Sequence, residues 1–189
     1  MPSSLPDFIP TIIKTAMSTN PKSVLDVGVG FGKWGYLFRE YLDVYHGRVF
    51  KEDWLVNIEG VEIFRPYIEK QPWLSPIYDK IYCADIWDFL VRKSPAYYDI
   101  IMAGDVIEHL PKPTARDVLV ELHKISKKSL VLSIPLGMEW LGNKVVAGNG
   151  NERHLSAWTK EEVVSLLGTP TIYKESIGNR KVALFIYQK

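Results

Sequence analysis

The stretch Val24-Leu25-Asp26-Val27-Gly28-Val29-Gly30-Phe31-Gly32-Lys33-Trp34-Gly35 decides how this chain is read. Its apolar residues, interrupted by one acid, read as the end of a buried strand. Gly28, Gly30 and Gly32 then make a sharp, bare turn. Glycine suits a backbone that takes positive φ or touches a ligand with no intervening Cβ. A helical segment, Trp34 to Asp43, follows. Strand, glycine turn and helix N-terminus together form a site of the nucleotide-binding type.

The details of the turn sort the nucleotides. A phosphate loop needs G-x-x-x-x-G-K-[ST]. Gly32-Lys33 is present, but Val27 stands at the first glycine position and Trp34 where Ser or Thr belongs. The dinucleotide fingerprint G-x-G-x-x-G fits Gly28 and Gly30 but meets Lys33 at its third glycine. Its acid, due about 20 residues on, is badly placed, since the best candidate is Glu62. What remains is D-x-G-x-G-x-G, with the acid ahead of the turn.

Outward from this stretch, strands and helices alternate. Phe8, Ile9, Ile12, Ile13, Ala16 and Met17 share one helical face, predicting a leading helix over Pro6 to Met17. Strands are predicted at Ser23–Val27, Leu55–Glu62, Ile77–Cys83, Tyr98–Ala103 and Ser129–Ile134. Helices are predicted at Phe64–Lys70, Ile86–Arg92 and Thr114–Ile125. Tyr45 to Trp54 is longer than a usual connection, and Pro135 to Ala157 has no clear period. Thr159, with Glu161 and Glu162 behind it, reads as the N-cap of a helix ending near Gly168. Thr171–Ser176 and Lys181–Tyr187 flank Ile177-Gly178-Asn179-Arg180, a hairpin signal. Repeated βα units closed by a hairpin predict a mostly parallel sheet with one antiparallel strand.

Composition narrows the function. A chain of 189 residues is one domain with room for one large core. The formal net charge of +1 gives no bulk electrostatic case for nucleic acid or an anionic membrane. The single cysteine, Cys83, allows no intramolecular disulfide and suits a reducing compartment, so the expected location is cytoplasmic. Pro6, Asp7, Pro10 and Lys14 break the N-terminal stretch, which does not read as a signal peptide. No apolar run reaches the length of a membrane span.

The D-x-G-x-G-x-G turn resembles the first motif of class I S-adenosylmethionine (SAM)-dependent methyltransferases. The element order is similar to theirs as well: seven strands, the last antiparallel and inserted beside the sixth. The resemblance covers Pro21 to Lys189. The expected fold is α/β, a Rossmann-like doubly wound seven-stranded mostly parallel sheet with a C-terminal antiparallel hairpin, in a single domain over residues 1–189. In such sheets ligands bind at the carboxyl ends of the strands.

Those strand ends carry polar groups at family positions. The resemblance implies that Gly28, Gly30 and Gly32 pack under the methionine half of SAM, and that Asp26 holds its amino group or orders the loop. Glu62, in Gly60-Val61-Glu62-Ile63, can accept from both ribose hydroxyls, the role of the family's strand-two acid. Glu59, ahead of Gly60 rather than after Val61, is too far back. Asp85 and Ile86, in Ala84-Asp85-Ile86, match the adenine-binding position, although Asp85 can equally N-cap the next helix. Asp105-Val106-Ile107-Glu108-His109-Leu110-Pro111-Lys112-Pro113 resembles the [DE]-V-[IL]-E-H-[LV]-x-x-P signature of one methyltransferase subgroup, beside the methionine end of SAM and the acceptor.

Methyl transfer is an in-line displacement dominated by positioning, and an oxygen or nitrogen acceptor must also lose a proton. His109 and His154 are the candidate bases; His46 and His123 read as surface residues. Asp105, Glu108, His109 and His154 also resemble the ligand set of metal-dependent O-methyltransferases, in which a divalent metal activates one of two neighbouring hydroxyls. Against that stands a metal-free pocket in which the same groups order the loop. Trp54, Trp140 and Trp158, with Asn143, Asn149 and Asn151, are candidates for acceptor specificity. The expected activity is SAM-dependent methyl transfer to a small molecule or small acceptor group, at oxygen. The alternatives are a non-catalytic SAM-binding or partner-scaffolding module and an NAD-dependent oxidoreductase.

Overall fold

The computed structural model describes residues 5–92, 98–142, 148–176 and 181–189. Among them, seven strands form one sheet: β1 (Ser23–Val27), β2 (Asn57–Glu62), β3 (Lys80–Cys83), β4 (Tyr98–Gly104), β5 (Ser126–Pro135), β6 (Ile172–Glu175) and β7 (Val182–Gln188). Their order is β3-β2-β1-β4-β5-β7-β6. Strands β1 to β5 pair in parallel, and β7 lies antiparallel between β5 and β6. The expected α/β, doubly wound, mostly parallel sheet is therefore present. The Gly-Asn turn at 177–180 lies outside the described residues, but its flanks pair as expected, from Ile172 with Ile186 to Glu175 with Ala183.

The helices are α1 (Ile9–Thr19), α2 (Lys33–Leu42), α3 (Arg65–Glu69), α4 (Leu74–Ile77), α5 (Ile86–Arg92), α6 (Lys112–Ile125) and α7 (Lys160–Leu167). Their ends follow local chemistry. Asn20 closes α1 in the left-handed conformation, φ 45°, just before Pro21, which cannot continue a helix. Thr159 and Glu162 form a reciprocal capping box on α7.

Helices α5, α6 and α7 cover one face of the sheet, over Leu25, Val27, Ile101, Leu132 and Phe185. Helices α1 and α2 cover the other, over Val24, Ile58, Ile100, Met102 and Leu184. Strand β4 is buried on both faces, which explains its unbroken apolar run Ile100-Ile101-Met102-Ala103. Three expected boundaries are corrected. Strand β2 starts at Asn57 rather than Leu55. Strand β3 starts at Lys80 rather than Ile77, because Leu74–Ile77 forms the helical turn α4, which sinks Leu74 into the core. Strand β5 starts directly at the end of α6, where Ser126 pairs with Tyr98. No helix among the described residues is long and apolar enough to cross a membrane.

The chain leaves β1 toward β2 and β3, then returns to β4 on the other side of β1. That reversal opens a crevice at the carboxyl ends of β1 and β4, the place where sheets of this kind bind ligands.

Candidate functional site

A cavity of about 300 Å³ occupies the crevice, the lower end of the usual range for ligand sites. The turn after β1, the residues after β2, β3 and β4, and Asn149, Asn151, Glu152 and Leu155 from the β5–α7 connection form its wall. Gly28, Gly30 and Gly32 all have positive φ, at 77°, 52° and 88°. A Cβ on Gly28 would lie 2.4 Å from Cγ2 of Val106, so this position needs glycine for space as well as conformation. The Val61 carbonyl accepts from the N–H groups of Gly28 and Val29, at 2.9 and 3.3 Å, and ties the turn to β2.

Glu62 is buried and lines the cavity. Its Oε2 accepts from the Gly30 N–H at 2.9 Å and its Oε1 from the Phe64 N–H at 2.8 Å. Burial pushes its pKa up, against the pull of these hydrogen bonds. Ile63, Asp85 and Ile86 stand beside it in the wall. Asp85 also accepts from the Trp87 N–H at 2.7 Å, so it caps α5 while facing the cavity. Asp105 lines the cavity from the end of β4 in a left-handed conformation, φ 55°, a strained backbone for a residue other than glycine. Ser133 holds it twice, its carbonyl accepting from the Asp105 N–H at 2.9 Å and its hydroxyl donating to Oδ1 at 3.0 Å.

Asp26 and Gly32 are absent from the cavity wall. Side chains alternate along a strand, so Asp26 shares the face of Val24, under α2. There Tyr78 donates its hydroxyl to Oδ2 at 2.5 Å, while the same hydroxyl accepts from the Gly35 N–H at 3.2 Å. Gly35 permits this approach, since a Cβ there would lie 2.2 Å from the Tyr78 ring. Asp26 is fully enclosed, and desolvation raises its pKa to about 7. Through the Tyr78 hydroxyl it is linked to Gly35, in the first turn of α2.

After β4 the two candidate histidines meet. His109 lines the cavity, and its Nδ1–H donates to the Arg153 carbonyl at 3.1 Å, because a carbonyl can only accept. This leaves the lone pair on Nε2. Burial lowers its pKa and favours the neutral ring. His154 does not line the cavity; its ring meets His109 edge-on, with centroids 4.8 Å apart, and stacks on Trp140. Glu108 is buried, with Oε2 unpartnered and Oε1 4.0 Å from Nε2 of His109. Burial and the Asp105 charge raise its pKa well above the carboxylate range. Glu108, His109 and His154 present ligand atoms all within 4.8 Å of one another. Asp105, the fourth residue of the expected metal set, is not in that group.

The expected specificity residues divide. Asn149 and Asn151 line the cavity. Trp158 is a core residue with no exposure, and Trp54 covers the Arg39 guanidinium 4.0 Å from its centroid. Trp140 is outside the cavity wall and stacks on His154. Asn143 lies outside the described residues. Tyr67 and Glu152 carried no signal in the sequence, yet both line the cavity and join across it, with the Tyr67 hydroxyl 3.2 Å from Glu152 Oε1. Lys33 also lines the cavity; in the sequence it was legible only as a failed phosphate-loop lysine.

No protein-family model matches this sequence, and no curated protein matches it. Solved structures do match in fold. An O-methyltransferase family protein from Burkholderia thailandensis is 14% identical with a TM-score of 0.59, over 96% of this chain and 57% of that one. This chain thus spans little more than half the length of that neighbour. The N-methyltransferase NodS from Bradyrhizobium japonicum WM9 is 13% identical with a TM-score of 0.62, over 98% of this chain and 99% of that one. The 1,6-didemethyltoxoflavin-N1-methyltransferase of Burkholderia thailandensis, solved with its acceptor and S-adenosylhomocysteine, is 14% identical with a TM-score of 0.59, over 94% and 77%. At these identities the likeness establishes the fold.

Proposed function

We propose that this chain binds SAM in the crevice and transfers its methyl group to an oxygen of a small-molecule acceptor. One observation carries the reading. The glycine turn, Glu62, Asp85 and Asp105 come from four separate strand ends and converge on one cavity at the switch point of the sheet. The named methyltransferases among the structural neighbours, one of them holding S-adenosylhomocysteine, support it.

The residues fit the cofactor. Backbone N–H groups, those of Gly30 and Phe64 among them, occupy part of the four lone-pair sites of the Glu62 carboxylate, and acceptor capacity remains for a ribose hydroxyl. Asp85 caps α5 through Oδ1, and its Oδ2 suits the exocyclic amine of adenine. Ile63 and Ile86 offer apolar surface beside these acids. When bound, SAM supplies a methyl group activated by a sulfonium. The protein's part is then to orient and to move one proton. His109, neutral and fixed in its Nδ1–H tautomer by the Arg153 carbonyl, holds Nε2 ready to take the acceptor's hydroxyl proton. Asp26 keeps the turn in place from below.

A second reading rests on Glu108. A buried carboxylate oxygen without a partner costs free energy unless it holds a proton or a cation. Glu108, His109 and His154 can ligate a divalent metal, and the Arg153 carbonyl on His109 is the kind of outer hydrogen bond that orients a histidine ligand. Carboxylate with imidazole suits Mn²⁺, Fe²⁺, Co²⁺ or Zn²⁺ better than Mg²⁺.

Titration calorimetry with SAM, S-adenosylhomocysteine and NAD tests the main reading. The expected result is binding of the first two and none of NAD, followed by label transfer from SAM carrying a labelled methyl group in a metabolite screen. Binding of NAD alone would make the chain an oxidoreductase. Metal analysis of protein purified without chelator, and turnover after chelation, separate the two readings of the Glu108 cluster.

A further inference from the structure

Glu152 stands in the cavity wall with three other acids, Glu62, Asp85 and Asp105, and among the described residues Lys33 is the only lysine or arginine there. The charge of Asp105 acts on that lysine. Glu152 is held by neutral groups. Its Oε1 accepts from the Tyr67 hydroxyl at 3.2 Å and from Nδ2 of the buried Asn149 at 3.5 Å. Asn149 is itself fixed, since its Oδ1 accepts from the backbone N–H and the side-chain amide of Asn151, each at 3.0 Å. Both bonds to Glu152 go to one oxygen, and Oε2 has no hydrogen-bond partner among the described residues. A glutamine would accept the same two bonds through its carbonyl, so holding this loop does not require the charge.

The charge is costly where it stands, because like charges repel in a partly desolvated space. Burial is the main cause of the raised pKa of Glu62 and of Glu108, and the Glu152 carboxylate adds to it at both. At His109 burial lowers the pKa, and the same carboxylate opposes the fall. The contacts agree with this reach. Tyr67, which bonds Glu152, meets the Phe64 ring edge-on with centroids 4.9 Å apart, and the Phe64 N–H donates to Glu62. Arg153 follows Glu152 in the chain, and its carbonyl fixes His109. Glu152 is therefore placed between Glu62 and His109. A ribose held by Glu62 carries the cofactor sulfur on its 5′ carbon, and the methyl on that sulfur must face an acceptor hydroxyl within reach of His109. The sulfonium then falls in the same interval, beside the Glu152 carboxylate.

We infer that Glu152 attracts the positive charge of the sulfonium and so makes the cavity discriminate the methyl donor from its demethylated product. The inference rests on the reading of the cavity as a SAM site. Loss of the methyl group leaves a neutral thioether, so the attraction acts on SAM and not on S-adenosylhomocysteine. The two ligands share every other group, and the ratio of their affinities isolates the charge. Calorimetry on the full chain measures that ratio for the wild type, Glu152→Gln and Glu152→Asp. Glu152→Gln should weaken SAM about tenfold, the size of one short-range charge pair in a partly solvated site, and leave S-adenosylhomocysteine unchanged. Its retained affinity for the product shows that the cavity is intact. Glu152→Asp keeps the charge and should keep most of the ratio. A ratio in Glu152→Gln equal to or above that of the wild type, or an equal fall in Glu152→Asp and Glu152→Gln, overturns the role of the Glu152 charge while leaving the SAM reading intact. Failure of both ligands to bind the wild type overturns the SAM reading and this inference with it.

Discussion

Replacing Asp26 with asparagine should remove a pH dependence from the stability of the fold. Asp26 has no solvent exposure, and its pKa stands at about 7 against an ordinary 3.8. The cause is desolvation, opposed by the hydrogen bond from Tyr78. The folded chain therefore holds this proton more tightly than the unfolded chain does. Below about pH 4 both states are protonated and Asp26 costs nothing. As pH rises toward 7 the unfolded state releases the proton first, and stability falls by about 1.4 kcal/mol per pH unit. From pH 5 to pH 8 that amounts to about 3 kcal/mol, with the decline complete near the folded pKa. The amide introduced by Asp26→Asn would still accept from the Tyr78 hydroxyl but does not titrate. Any penalty it brings is the same at every pH. Urea unfolding of both proteins at pH 5 and pH 8 measures the effect as a difference of differences. Wild type should lose about 3 kcal/mol relative to Asp26→Asn over that interval. A gap between the two proteins that is equal at both pH values would refute the burial argument.

Gly30→Val should lower the melting temperature, since φ is 52° there and a left-handed non-glycine residue costs about 1–2 kcal/mol; it should also abolish S-adenosylhomocysteine binding, and retained affinity would show that the turn does not touch the cofactor. Glu62→Ala should weaken S-adenosylhomocysteine by about 1.5–3 kcal/mol, with a smaller loss for its 2′,3′-dideoxy analogue; equal losses would argue that Glu62 only ties Gly30 to β2. His109→Ala should leave cofactor affinity unchanged and slow turnover by about a hundredfold or more, and an unaltered rate removes the base role. Thr159→Ala breaks the capping box of α7 and should cost about 1 kcal/mol in calorimetric stability with no effect on ligand affinity.

Much of the site was legible because its signals are local. Three glycines at alternate positions specify a turn through backbone sterics, and all three adopt positive φ. The reading of β2, β3 and β4 from apolar runs put Glu62, Asp85 and Asp105 at strand ends, where the parallel sheet brings them to one cavity. Thr159 caps α7 as the sequence implied, and the structure adds the reciprocal bond from Glu162 to the Thr159 backbone. Where propensity and burial disagreed, as at Leu74–Ile77, burial of Leu74 prevailed and the expected start of β3 became a helical turn.

What the tertiary structure alone decided are the meetings of residues far apart in the chain. Under α2, Asp26 meets Tyr78, 52 residues on, whose hydroxyl reaches its carboxylate through the gap left by Gly35. Tyr67 and Glu152, 85 positions apart, join across the cavity. His154 pairs its ring with His109 and Trp140 instead of facing the cavity, and Asp105 stays with Ser133 rather than with Glu108 and the histidines. Sequence period sets which side of its own strand or helix a residue occupies. The order and register of the strands determine what it finds there, and those depend on the packing of the whole core at once.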